Sequence, residues 1–262
     1  MDTVYTAEFY EGQMGSSFQS AKIILPMVLK LLETQKIKSA VDFGCGVGTW
    51  LAAFKSIVSD AEITGLDGGA AEEKQFFIPQ DCFIKTDISQ PIILKQKYDI
   101  CFSLEVAEHI PEKQRDVYVD NLCRSSDIIL FSAALKGQGG TGHVNEQPLS
   151  YWIDVFEKVN YTCIDGIRVS IWNDEKVSYW YKQNIVLFVK KGAISDIENR
   201  YTGYQAMPVT DVVHPLAIQT SLQDTWDIIG ERDNHIINKH AIIKKFPHMY
   251  AGLRKIKRMI KN

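Results

Sequence analysis

From Ala40 onward the chain alternates short apolar runs with segments of helical periodicity, and this alternation limits its fold more than any other feature. Ala40–Phe43, Glu62–Leu66, Cys82–Lys85, Tyr98–Ser103 and Asp127–Ser132 read as strands. Thr49–Val58 and Pro111–Cys123 read as helices, with Pro111 in the first turn, where its missing N–H costs nothing. A helix over Leu149–Val159 and strands at Tyr161–Ile164 and Ile185–Val189 follow. Ahead of them, Ile23, Ile24, Met27, Val28, Leu31 and Leu32 recur at helical spacing and predict an amphipathic helix over Ser17–Glu33. The pattern predicts an α/β fold, a mostly parallel sheet covered by helices on both faces. Ligands of such sheets bind beyond the carboxyl ends of the strands. Asp67, Asp87, Glu105 and a glycine loop all stand just past predicted strand ends, so the architecture brings them to one rim.

The 262 residues suffice for one full α/β domain and a small appendage. The division expected is a ligand-binding domain over 1–192 and a C-terminal extension over 193–262. That extension reads as partly helical, with a basic end containing Lys244, Lys245, Arg254, Lys255, Lys257, Arg258 and Lys261. A net charge of −3 gives no whole-molecule attraction to nucleic acid, and no N/D-P-P-Y/F/W motif for a flipped base is present, so no nucleic-acid partner is expected. The basic end alone favours a phosphorylated acceptor or peripheral contact with a membrane surface. The five cysteines show no C-x-x-C spacing and read as small buried hydrophobes. The start of the sequence lacks the pattern of a signal peptide, and no apolar stretch is long enough to span a bilayer, which predicts a cytoplasmic protein. A monomer and a homodimer are both compatible with the sequence.

The glycine loop is Val41-Asp42-Phe43-Gly44-Cys45-Gly46-Val47-Gly48. Glycines after a strand let the backbone approach a ligand and leave the amides of the next helix start free to donate. Two cofactor classes exploit this. A nicotinamide dinucleotide needs amides for its pyrophosphate, and its fingerprint is G-x-G-x-x-G or G-x-G-x-x-A. Here the last position is Thr49, and Asp42 would face the anionic pyrophosphate unfavourably. The amino-acid end of S-adenosylmethionine carries an ammonium, beside which Asp42 is well placed. Asp67 suits the ribose hydroxyls of either cofactor. Asp87 suits the adenine amino group, with Ile88 flanking the ring.

The ordered segments V-D-F-G-C-G-V-G-T-W, G-L-D-G, K-T-D-I and S-L-E-V-A-E-H-I resemble the class I S-adenosylmethionine-dependent methyltransferases over about residues 5–190. The resemblance implies a Rossmann-like seven-stranded sheet with the last strand antiparallel. It implies Asp42, Gly44 and Gly46 at the methionine end of the cofactor, Asp67 on the ribose, Asp87 and Ile88 about the adenine, and Glu105 near the sulfonium. A narrower resemblance rests on F-Y-E-G-Q-M-G-S-S-F-Q-S-A, G-Q-G-G-T-G-H-V-N-E-Q, I-W and W-Y-K-Q-N. These segments are similar to a subgroup associated with bacterial surface-polysaccharide (capsule) biosynthesis, whose acceptors include sugars and phosphoramidate decorations. In that subgroup the N-terminal segment, with Tyr10, Gln13 and Ser20, would lid the cofactor.

Methyl transfer to a hydroxyl requires alignment of the acceptor and help with its proton. His143 is the candidate base, standing after Gly137–Gly142 and beside Asn145, Glu146 and Gln147. Glu105 is the second catalytic candidate. His109, Asn145, Gln147 and Tyr181 are candidates for acceptor binding, with Tyr181 part of an aromatic insertion that includes Trp172, Tyr179 and Trp180. An anionic phosphoramidate oxygen needs no base, and His143 would then bind charge. No H-E-x-x-H motif or Cys/His cluster is present, so no metal is expected. The activity expected is O-methylation of a capsule or surface-polysaccharide precursor, with S-adenosylhomocysteine as product. The competing classes are a nicotinamide-dependent oxidoreductase and a non-catalytic S-adenosylmethionine-binding protein.

Overall fold

A computed structural model describes residues 7–32, 36–69, 76–193 and 210–220, with side chains of the first helix described from residue 15. The chain divides into two compact units, Met1–Ala217 and Ile218–Asn262. The second unit, with the basic cluster from Lys244 to Lys261, lies outside the described residues except for 218–220.

The first unit runs α1 (Ala7–Leu31), β1 (Ser39–Phe43), α2 (Thr49–Ile57), β2 (Glu62–Asp67), β3 (Phe83–Lys85), β4 (Ile100–Leu104), α3 (Arg115–Ser125), β5 (Ile128–Ser132), α4 (Leu149–Lys158), β6 (Tyr161–Ile164), α5 (Arg168–Ile171), α6 (Tyr179–Asn184) and β7 (Val186–Lys190). The strands form one seven-stranded sheet in the order β3-β2-β1-β4-β5-β7-β6. β1 pairs in parallel with β2 and β4, β2 with β3, and β4 with β5. β7 runs antiparallel to both β5 and β6. The expected sheet, parallel except for its last strand, is therefore the sheet observed.

Successive residues of a strand face opposite sides, and here both sides are covered. Ile100, Phe102, Ile128 and Leu130 enter one apolar cluster with Ile24 and Val28 of α1, Trp50 and Phe54 of α2, and Tyr181 of α6. Val41, Phe43, Cys101, Ile129 and Phe131 enter the other with Tyr118 of α3 and Trp152 and Phe156 of α4. Phe156 stacks on Phe188 of β7 with ring centroids 3.9 Å apart. β1 lies between β2, on the side that continues to β3, and β4, on the side that continues to β5. Strand order reverses there, and the carboxyl ends of these strands flank the crevice that such a reversal opens.

Two boundaries differ from the sequence expectation. α1 starts at Ala7, ten residues before Ser17, because Gly12 and Gly15 depress helical propensity without stopping the helix. Pro111 does not open α3: its backbone is extended (ψ 140°), a 3₁₀ turn spans Glu112–Gln114, and α3 begins at Arg115. Residues 210–217 cluster with the first compact unit. They are held by specific bonds. Asp211 accepts from Ser150 N and Oγ (2.9 and 2.6 Å), and the buried Arg168 guanidinium donates to Thr210 O (2.9 Å). His214 N donates to Gln183 Oε1 (3.0 Å). Among the described residues, no helix is long and apolar enough to cross a membrane.

Candidate functional site

The loop after β1 is built by glycine geometry. Gly44, Gly46 and Gly48 all have positive φ (80°, 52° and 83°), a backbone region that disfavours other residues. Gly44 is also required by space, since a Cβ there would lie 2.5 Å from a methyl of Val106. Leu66 O accepts the amides of Gly44 and Cys45 (2.8 and 3.1 Å), which ties the loop to β2. α2 then starts at Thr49 with its first turn at the loop.

Asp42 and Asp67 flank this turn. Asp42 is 3% exposed, on the strand just before the loop. Burial, then repulsion by Asp67, push its carboxyl up to about 7. Among the described residues its carboxylate has no hydrogen-bond partner and no paired cation, so the site contains a buried acid in need of a positive group. Asp67, the last residue of β2, accepts Gly46 N on Oδ2 (2.8 Å) and Gly69 N on Oδ1 (2.6 Å). Its carboxylate is thereby oriented by the same loop it stands beside. Asp87, past β3, is exposed. Its Oδ1 accepts Ser89 Oγ and N (2.6 and 3.0 Å), and these donors hold its carboxyl below the ordinary range. Ile88 packs on the second core cluster, and Asn121 of α3 donates to Ile88 O and Gln90 O, fixing the turn.

Glu105 follows β4 and turns the chain sharply. Its φ is +56°, and its amide donates to Ser132 O and Oγ at the end of β5 (2.9 and 3.1 Å). The turn carries the side chain into an amide network. Gln138 Nε2 donates to Oε2 (2.8 Å) and Asn184 Nδ2 to Oε1 (3.1 Å). Asn184 and Gln183 also donate to Gln138 Oε1 (2.9 and 2.7 Å). Burial pushes the Glu105 carboxyl up, and these donors oppose the shift. Gln138, within the G-Q-G-G-T-G run, was not singled out from the sequence, and Asn184 was marked only by the polar W-Y-K-Q-N edge of the aromatic insertion, which names no partner.

The segment around His143 folds back onto the 3₁₀ turn Ala107–His109. Glu108 O accepts the amides of Val144 and Asn145 (both 2.9 Å). His143 Nδ1 lies 2.8 Å from Glu146 Oε1, and Glu146 also accepts Gly137 N and Gly139 N (2.8 and 3.0 Å), so the glycine-rich loop is pinned on this carboxylate. His109 Nδ1 lies 3.2 Å from Gly142 O, and the two imidazole rings meet edge to face at 4.8 Å. His143 Nε2 is 3.9 Å from Glu108 Oε1. Glu108 is 1% exposed, and its Oε2 has no hydrogen-bond partner. Burial raises its carboxyl well above the ordinary range, and Glu105 adds to the effect. Burial and His143 lower the His109 imidazole. Glu108, His109 and His143 each present a donor atom within 4.8 Å of the others. Linear spacing hides such a set, which is why the sequence led to the expectation of no metal. Asn145 is buried with its Nδ2 unpaired, while its Oδ1 accepts Gln147 Nε2 (3.0 Å).

Four candidates lie elsewhere or beyond description. Tyr181 is 4% exposed; its hydroxyl accepts Trp50 Nε1 (3.1 Å) and meets Ser17 Oγ (3.3 Å), so this part of the aromatic insertion is core rather than an acceptor wall. Ser20 is fully buried: its Oγ donates to Ser16 O and accepts Ser178 N, fastening α1 to the start of α6. Tyr10 and Gln13 fall on the backbone of α1, and their side chains lie outside the described residues.

No family model matches the sequence, and no curated protein matches it. Among solved structures, the chain is similar to the magnesium protoporphyrin IX methyltransferase ChlM from Synechocystis PCC 6803 with bound SAH. Identity is 18%, with 66% of this chain and 84% of that chain covered, at a TM-score of 0.46. It is also similar to the plantazolicin methyltransferase BpumL in complex with a pentazolic desmethylPZN analog and SAH (15% identity, 68% and 85% covered, TM-score 0.46). The sugar N-methyltransferase KedS8 from Streptoalloteichus sp ATCC 53650 matches with a TM-score of 0.54 at 11% identity, over 71% of this chain and 93% of that chain. At that identity the likeness is one of fold, and the chain has the Rossmann-like, seven-stranded fold of that enzyme.

Proposed function

We propose that the chain is an S-adenosylmethionine-dependent methyltransferase, and that its acceptor is an oxygen of a surface-polysaccharide precursor or of its phosphoramidate decoration. The observation that carries the cofactor assignment is Asp42, a buried carboxylate beside a glycine turn with no paired cation among the described residues. The ammonium of an amino-acid end satisfies it, whereas a pyrophosphate would meet two carboxylates, Asp42 and Asp67. Asp67, already oriented by Gly46 and Gly69, takes the ribose hydroxyls, and Asp87 and Ile88 take the adenine. The cofactor supplies a methyl group on a sulfonium, already activated for in-line displacement.

Glu105 stands at the junction of the cofactor rim and the His143 segment, held by Gln138 and Asn184, and serves to orient the reacting groups. A hydroxyl acceptor loses a proton during transfer. We assign its departure to His143 Nε2, with Glu146 on Nδ1 fixing the ring. An anionic phosphoramidate oxygen loses none, and the same nitrogen then binds charge. A saccharide acceptor is supported by the resemblance of the G-Q-G-G-T-G-H-V-N-E-Q segment and by the substrate class that the name of KedS8 records for that enzyme.

Calorimetry with S-adenosylhomocysteine on the folded chain tests the cofactor, with one site per chain expected. Binding of NADH in its place would overturn the assignment. A panel of nucleotide-activated sugars and phosphoramidates, assayed for methyl transfer, tests the acceptor class.

A further inference from the structure

We infer that Glu108, His109 and His143 form a binding site for a divalent first-row transition cation, through which the acceptor oxygen is held and activated. This rests on the methyltransferase reading for its role, but not for its existence.

Three independent features of the cluster support it. The first is the donor set. One atom from each residue lies within 4.8 Å of the others. Two imidazoles and one carboxylate on one side of an ion leave its remaining positions open, the arrangement that manganese, iron, cobalt and zinc accept and magnesium disfavours. The second is the orphaned oxygen. Glu108 Oε2 is buried without a hydrogen-bond partner, although leaving such an atom unsatisfied is costly. A cation supplies what it lacks. The third is the packing at His143. Gly140 has φ +151°, and a Cβ on it would overlap His143 Nε2 and Cε1, so glycine is what keeps a side chain off the edge of the ring that would bind the ion.

The surrounding bonds fix the chemistry of both rings. His143 Nδ1 donates to Glu146 Oε1, and His109 Nδ1 donates to Gly142 O. Each contact puts the ring's lone pair on Nε2, and each is the outer partner that metal-bound histidines ordinarily have. Cation–ligand bonds of about 2.0–2.2 Å would draw the three donor atoms closer together than they stand here. Glu105 and Glu146 add two further carboxylates to the neighbourhood of Glu108, so a cation enters a field that favours it.

An acceptor hydroxyl bound at an open position of the cation loses its proton to water more readily than a free one. Its oxygen then forms the O–CH3 bond as the S–CH3 bond breaks. The sulfur keeps the bonding electron pair, and the products are the methyl ether, S-adenosylhomocysteine and the released proton. In this scheme His143 Nε2 is a ligand of the cation rather than the base, and the cation takes over the activation assigned to that nitrogen in its absence.

The test uses the full chain, stripped with a chelator and dialysed, then titrated with Co2+ followed by its visible absorption and with Mn2+ followed by calorimetry. One equivalent per chain is expected. Glu108→Gln, His143→Ala and Gly140→Ala should each weaken uptake at least tenfold, and Glu146→Ala about 10–100-fold through loss of the outer partner. His214→Ala, at a ring that packs at a tilt against Trp172, should leave uptake unchanged. Circular dichroism identifies any variant that does not fold, and the isosteric Glu108→Gln is chosen to keep its volume. Failure of the folded wild-type chain to take up Co2+ or Mn2+ would overturn the site. So would uptake that persists unchanged in both Glu108→Gln and His143→Ala. S-adenosylhomocysteine binding is measured on the same stripped protein. Metal uptake without it removes the methyltransferase reading alone, and the converse removes the cation site alone.

Discussion

Replacing Asp42 with asparagine should make the ligand-free protein more stable at alkaline pH while weakening cofactor binding. The magnitude follows from the environment of the carboxyl. Moving it from an ordinary 3.8 to about 7 corresponds to about 4 kcal/mol of unfavourable interaction for its ionised form. Burial supplies most of this and Asp67 the rest. A carboxyl raised in the folded state contributes its full relative stability below the unfolded value. That contribution is lost as pH rises through the folded value, so the window is pH 3.8 to about 7. Wild type should therefore lose Tm as pH rises from 5 to 8, whereas Asp42→Asn should lose less. The difference at pH 8 is bounded at about 4 kcal/mol, or roughly 10 °C in Tm for a chain of this size. S-adenosylhomocysteine reverses the ranking, because its ammonium pairs with the ionised acid. Its Kd for wild type should rise as pH falls below about 7, and for Asp42→Asn it should be weaker by about 10–100-fold and flat with pH. Thermal melts and calorimetry between pH 5 and 9 read both effects. Parallel pH profiles for the two proteins, with and without the ligand, would refute the assignment of a buried, cation-seeking Asp42.

Gly44→Ala should destabilise the protein by about 2–5 kcal/mol in urea unfolding, from positive φ and overlap with Val106 together. Adding Val106→Ala should recover the overlap part but not the backbone part. Tyr181→Phe removes the acceptor of the buried Trp50 Nε1 and should cost about 1–3 kcal/mol, measured in the same assay. Asp67→Ala frees the Gly46 and Gly69 amides from their acceptor, and calorimetry should show S-adenosylhomocysteine affinity lowered by at least about tenfold.

The rim of the sheet was legible in the sequence because its signals are local. A strand that ends in glycines or an acid carries its own period and stop, and Gly44, Asp67, Asp87 and Glu105 all came out at strand ends. The Glu108–His143 contact was not legible, because it joins a turn after β4 to a loop after β5, and their meeting depends on two backbone bonds to Glu108 O. Tyr181 was ambiguous for a related reason. An aromatic residue with a polar tip reads equally as wall or core until its hydroxyl has a partner, and here Trp50 of α2 supplies one. The membership of residues 210–217 in the first unit was hidden as well. Arg168 and Asp211 are ordinary surface types by composition, and only the fold turns them into anchors.

The backbone at Glu105 has a consequence for engineering. A non-glycine residue held at φ +56° costs the protein of order 1–3 kcal/mol. Asparagine or glycine at this position would relax that strain, so a library selected only for thermal tolerance should repeatedly discover them. Each such winner would sever the link to Gln138 and Asn184. Thermostability and turnover should then move in opposite directions at this single position, which makes residue 105 a sensitive place to detect selection for heat resistance acting at the expense of catalysis.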